Sequence, residues 1–186
     1  SQNFLLLITP YDYATVKYDQ NGNQLWVSRY NGTGNNEDKP TGITADALNN
    51  IIVTGGSIGS GSNIDFATVK YNSSGTQQWV QRYNGPGNNE DRAYAIVVDN
   101  SDNIIVTGES IGSGSNYDYS TIKYNPSGSQ QWVQRYNGPG NNEDRAYAIV
   151  ADNCDNFIIT GYSRTGNPES TEDYTTVKYN NSGTQQ

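Results

Sequence analysis

The amino-acid sequence predicts an all-β protein assembled from repeated four-stranded units, and three observations carry that prediction. The string QQWVQRYNGPGNNEDRAYAIV stands at Gln77 to Val97 and again at Gln130 to Val150, 53 residues on, with a looser copy from near Leu25. Single markers keep the same period: Trp26, Trp79 and Trp132, and likewise Asp12, Asp65 and Asp118, with Asp173 following after 55 residues because the last linker is longer by two. Composition agrees, since 33% apolar content, 20 Gly and abundant Asn, Ser and Thr in 186 residues are poor helix material.

Along the second copy the apolar pattern divides into four strand-length pieces, Asp65 to Tyr71, Gln77 to Tyr83, Arg92 to Asp99 and Asn103 to Gly108. In the first piece Ala67, Val69 and Tyr71 share one face while Phe66, Thr68 and Lys70 share the other, so both faces carry bulk. Such a sheet needs cover on both sides, which suits units stacked between neighbours. Hairpin turns at Asp19 to Gly22, Asn72 to Gly75 and Asn125 to Gly128 put Gly where a tight reversal needs positive φ. A second reversal recurs at Asp46 to Asn50, Asp99 to Asn103 and Asp152 to Asn156, with side chains suited to capping their own backbone. Gly/Ser linkers at Gly59 to Asn63 and Gly112 to Asn116 join one set to the next, for roughly 14 strands and no convincing helix.

The chain divides into a partial unit at 1–11, repeats at about 12–64, 65–117 and 118–172, and a partial unit at 173–186. Asn3 to Thr9 reads as the remnant of a strand, and Asn181 to Gln186 stops just before the position of the next Trp. Four-stranded units of this period, without independent cores, are the signature of a β-propeller whose blades stack around an axis. Closed propellers have about 4 to 8 blades. With about three and a half here, the expected partners are other blades of a longer chain, or a second copy completing one ring of roughly seven.

The segments DYATVKY, IDFATVKY and YDYSTIKY, followed by SG, QQW, RYNG, AIVVDN, DNIIVTG and GSGS, resemble the bacterial SBBP-type β-propeller repeat over nearly the whole chain. That resemblance implies a module of a large exported protein, located outside the cell or on its surface, and says little of activity. By analogy with related propellers it implies that the Ala93 to Asp99 strand is innermost and the Gln77 to Tyr83 strand outermost. The SGTQQW and SGSQQW segments are also similar to the Gly-x-x-x-Trp part of quinoprotein repeats. No quinone funnel is identifiable, and the sialidase Asp-box is absent.

Charge and residue inventory narrow the function. A net charge of −8 and a pI near 4.3 repel phosphate backbones and anionic lipid, so no nucleic-acid partner is expected. The lone Cys154 precludes an internal disulfide, and a chain without His lacks the commonest metal ligand and general base. Phe4 to Ile8 is far shorter than the roughly 20 apolar residues of a membrane span, and an export signal would lie outside this chain.

Candidate sites follow from clustered chemistry. Asn88, Asn89, Glu90 and Asp91, repeated as Asn141, Asn142, Glu143 and Asp144, offer the oxygens a calcium ion takes. The alternative is that they cap turns while Glu90 and Asp91 pair with Arg92 or Arg82. Trp79, Tyr83 and Asn84, with Trp132, Tyr136 and Asn137, form candidate sugar platforms, which repetition would make multivalent. The alternative is packing between blades. Lys17, Lys70, Lys123 and Lys178 follow Asp12, Asp65, Asp118 and Asp173, and their recurrence reads as a structural pair rather than an active site. The expected function is a non-catalytic scaffold or adhesion and interaction surface with no required cofactor. The alternatives are a multivalent glycan-binding propeller and, more weakly, an accessory part of an exported enzyme.

Overall fold

A computed structural model describes residues 11–59, 63–113, 116–165 and 171–186. The Asn3 to Thr9 piece, most of the Gly59 to Asn63 linker and part of the Gly112 to Asn116 linker lie outside these residues. Among the described residues there are 13 strands and no helix, every pairing antiparallel, in four sheets. The first sheet holds β1 (Tyr13–Tyr18) and β2 (Gln24–Tyr30). The second runs in chain order through β3 (Asp38–Ala45), β4 (Ile51–Ile58), β5 (Ile64–Tyr71) and β6 (Gln77–Tyr83). The third repeats it as β7 (Asp91–Val98), β8 (Ile104–Ile111), β9 (Tyr117–Tyr124) and β10 (Gln130–Tyr136). The fourth has β11 (Asp144–Ala151), β12 (Phe157–Arg164) and β13 (Glu172–Tyr179).

The turns form for the reasons their residues supply. Gly22, Gly75, Gly128 and Gly183 take φ between 82° and 88° in the hairpins. In the other reversals the left-handed position falls to Asn49, Asp102 and Asp155, residue types that tolerate it. Asp99 Oδ1 accepts from the backbone amides of Ser101 and Asn103, both at 2.9 Å, and Asp46 and Asp152 cap their turns the same way.

Burial on both faces is complete in the middle of the array: every residue of β5 from Asp65 to Tyr71, and of β9 from Asp118 to Tyr124, is buried. One core lies between the second and third sheets, where Ile52 and Phe66 meet Ala93, Ile104, Val106, Ile122 and Tyr124. Another lies between the third and fourth, around Ile105, Tyr119, Ala146, Phe157 and Ile159. Among the described residues each core cluster draws on two neighbouring sheets, so each sheet is stabilised by its neighbours. The first strands β3, β7 and β11 make the main strand contacts across sheets. Each carries a bulge at the same place, Thr41, Tyr94 and Tyr147.

Candidate functional site

The residues that recur with the period meet at the seams between sheets. Trp79 Nε1 donates to the Pro126 carbonyl in the next sheet's turn at 3.2 Å, and Lys70, directly across the strand pair from Trp79, donates to the same oxygen at 3.2 Å. Trp26 and Lys17 bond Ser73 O in the same way, and Trp132 and Lys123 bond Asn181 O. The face of Trp79 is taken by Gly128, whose missing Cβ would stand 2.9 Å from the ring, and by Tyr124, 6.3 Å away between centroids. Trp79 and Trp132 thus lie half-buried between sheets, as the packing alternative expects.

At the opposite end of each seam, Arg135 Nη2 donates to Asp118 Oδ2 at 2.8 Å and to Ser110 O at 2.7 Å, while Nη1 donates to Ser110 Oγ and, at 3.4 Å, to the Tyr83 hydroxyl of the preceding sheet. Arg82 repeats the set on Asp65, Ser57 and Tyr30. Tyr83 and Tyr136 also pack edge-on or tilted against Phe66 and Tyr119 of their own sheets. The expected pairing of each Asp with the Lys that follows it is therefore corrected. Asp65 and Lys70 lie five residues apart on one strand and point to opposite faces. Asp65 meets Arg82, whereas Lys70 meets Asp46 at 2.8 Å. Lys123 correspondingly meets Asp99 at 2.9 Å, and Lys178 meets Asp152 at 3.3 Å.

The candidate calcium loops are distributed rather than convergent. Asn88, at φ 49°, accepts from Asn84 Nδ2 at 2.6 Å, and Asn141 accepts from Asn137 identically. Asn89 accepts from Asn63. Glu90 pairs with Arg92 at 2.8 Å and accepts from the Tyr117 hydroxyl. Asp91 is buried and accepts from the Gly85 amide at 2.6 Å rather than pairing with Arg92 or Arg82, and Asp144 accepts from the Gly138 amide in the same way. Glu143 bridges Arg145 and Arg164, and Asn142 stands half-buried beside it in the loop. Among the described residues no group of three or more His, Cys, Asp or Glu side chains stands together. The exposed Cys154 sits in its turn, its amide bonded to Asp152.

Burial and partners set the ionisation. Burial opposes the charge on Asp99, but Lys123, Asn103 and the Asn103 and Ser101 amides outweigh it and hold the carboxyl below the ordinary range. Asp46 is lowered likewise, by Lys70 and Asn50 against burial. Glu109 goes the other way: burial pushes it up, against Tyr94, Arg145 and Arg92.

Glu109 is the residue that periodicity alone passes over. It follows Thr-Gly in β8, where the other copies carry Gly56 and Tyr162. Its buried carboxylate receives Arg92 Nη1 at 3.5 Å from its own sheet and faces Arg145 Nε at 3.0 Å from the next, beside the Tyr94 hydroxyl. The readable signal is the difference between copies that otherwise agree.

No family model matches the chain, and a search of curated proteins finds no match.

Proposed function

We propose that this chain is a β-propeller repeat module of the SBBP type, carried by an exported or cell-surface protein and serving as a rigid scaffold and interaction surface without catalysis. The observation that carries the reading is that the recurring Trp, Lys and Arg residues make the same structural bonds in successive copies. The Trp and Lys residues bond the turn of the next sheet and the Arg residues reach a Tyr hydroxyl of the preceding one, while the turn Asp residues pair with the Lys of their own sheet, leaving no asymmetric constellation among them for chemistry. In this arrangement the strands β3, β7 and β11 lie nearest the axis and β6 and β10 at the rim, which accords with the contacts among the first strands.

Other blades complete the ring. Supporting this, the two terminal sheets expose apolar residues whose counterparts inside the array are buried: Val16 is 39% exposed against 0% for Val69 and Ile122, and Tyr174 is 98% exposed against 1% for Phe66 and Tyr119. Appending copies of residues 65–117 tests the reading. Chains extended toward seven units should gain melting temperature with each copy and end as compact monomers. An unchanged melting temperature, or open aggregates at every length, would contradict it.

A further inference from the structure

The seams between sheets match at nearly every bonded position, which makes the departure at Gly56, Glu109 and Tyr162 informative. Between the third and fourth sheets, the Glu109 carboxylate lies between Arg92 of its own sheet and Arg145 of the next. Between the second and third sheets, Gly56 stands in the equivalent position. A cavity of about 350 Å³ opens over it, lined by Glu37, Lys39, Thr41, Ile64, Arg92 and Tyr94. That volume falls within the roughly 300–1,000 Å³ of small-molecule sites.

The cations that hold Glu109 have counterparts here. Lys39 pairs with Gly56 across β3 and β4, as Arg92 pairs with Glu109 across β7 and β8. Arg92 reaches in from the next sheet, its Cγ 3.8 Å from where a Gly56 Cβ would stand, as Arg145 reaches Glu109. Lys39 makes no ion pair among the described residues. Arg92 also holds Glu90 at 2.8 Å, and Arg145 likewise holds Glu143 at 3.6 Å while facing Glu109. Arg92 thus already serves two carboxylates, Glu90 and Glu109, and a ligand anion would share it as a third, with Lys39 as the cation that has no ion pair among the described residues. Glu37, exposed at the rim, corresponds to Glu90. The wall differs in one respect: Ile64 replaces Tyr117, whose ring lies under the Arg145 guanidinium at 4.9 Å, so the Gly56 cavity is more apolar on that side.

We propose that this cavity binds a small aliphatic carboxylate, its anionic end between Lys39 and Arg92 as the Glu109 side chain lies between Arg92 and Arg145, and its apolar body against Ile64 and Tyr94. Charge-assisted bonds from an ammonium and a guanidinium select the anion. The inference rests only on the seam between the second and third sheets and does not depend on the propeller reading.

Butyrate is the probe, because its four carbons correspond to Cα through Cδ of glutamate. Titrated into the nitrogen-15-labelled chain, it should shift the amide signals of Gly56, Ile64 and Arg92 saturably, with butyramide at least tenfold weaker. Gly56→Glu should weaken butyrate at least tenfold by supplying the carboxylate internally. A Cβ at Gly56 comes to 2.7 Å from Ile64 Cγ2, a methyl that a rotamer change can move. Should that variant not fold, the exposed Lys39→Gln carries the test, with affinity expected to fall at least threefold. Glu109→Gly should add a second saturable set of shifts around Arg145 and Tyr147. Absence of saturation in the parent chain, equal binding of butyramide, or unchanged affinity in whichever of Gly56→Glu and Lys39→Gln is folded would overturn the proposal.

Discussion

Lys70 offers the sharpest test of the bonds between sheets. Its ammonium lies 2.8 Å from Asp46 Oδ2 and 3.2 Å from Pro126 O, with the side chains of Lys70 and Asp46 only 4% and 1% exposed. Replacing it by Met keeps the stem's volume but leaves a buried carboxylate without its counter-charge, a change that costs about 3–5 kcal/mol. Asp46 retains three donors, the amides of Leu48 and Asn50 and the Asn50 side chain at 2.7 Å, which place the loss at the lower end, about 3 kcal/mol. For a chain of this length that lowers the melting temperature by about 6–12 °C. Urea unfolding of Lys70→Met, Asp46→Asn and the double variant, followed by circular dichroism, isolates the pair, with a coupling of about 2 kcal/mol expected. A loss below about 1 kcal/mol for Lys70→Met would refute the claim that the lysine ties the Asp46 turn of its own sheet to the Pro126 turn of the next, and additive single variants would refute the Lys70–Asp46 pair within the sheet.

Trp79→Ala should cost about 2–3 kcal/mol in the same assay, less than a fully buried Trp because the ring is half-exposed, and Trp79→Phe should recover part of it while lacking the bond to Pro126 O. Gly128→Val combines a φ of 88° with a Cβ 2.9 Å from the Trp79 ring and should destabilise by at least about 2 kcal/mol. The pH dependence has two opposed components. Asp99, depressed in the folded state, stabilises fully above its unfolded value near about 4, and that contribution disappears as pH falls through the lower folded value. Glu109, raised by burial, stabilises most below its unfolded value near about 4.3, and that contribution is lost as pH rises through the raised value. Melting curves against pH should therefore lose acid sensitivity in Asp99→Asn, whereas Glu109→Gln should lose the decline above the ordinary carboxylate range. Slope changes of the opposite sign would contradict the assignments.

Repeat length, strand positions and hairpin glycines were legible in the sequence because they depend on local chemistry: alternation along the strand and a backbone position that only Gly takes without strain. The packing of Trp79 against the next sheet follows the same period, since a ring recurring once per unit meets the same neighbour in each copy. The partners of the charged residues were not. Asp65 and Lys70 are close in sequence, but the strand turns them to opposite faces, and Arg82 and Asp46 become their neighbours only through pairing register. The Asn88 to Asp91 loop read as a ligand cluster because four oxygen-bearing side chains stand in a row. In the folded loop they diverge, with Asp91 turned inward to Gly85 and Glu90 outward to Arg92. Gly56 and Glu109 are not marked by the periodicity, because a repeat shows likeness between copies and these two positions differ.

The central claim is that the sheets radiate from an axis with their first strands innermost, and spin-label distances measure it directly. With Cys154→Ser as background, one pair of labels at Thr44 and Val150 spans two sheets along the first strands β3 and β11. A second pair at Leu25 and Gln131 spans two sheets along the last strands β2 and β10. Radiating blades predict a clearly longer distance for Leu25 to Gln131 than for Thr44 to Val150 in double electron–electron resonance. Equal distances, as in a flat stack of parallel sheets, or a longer distance between Thr44 and Val150, would contradict the account.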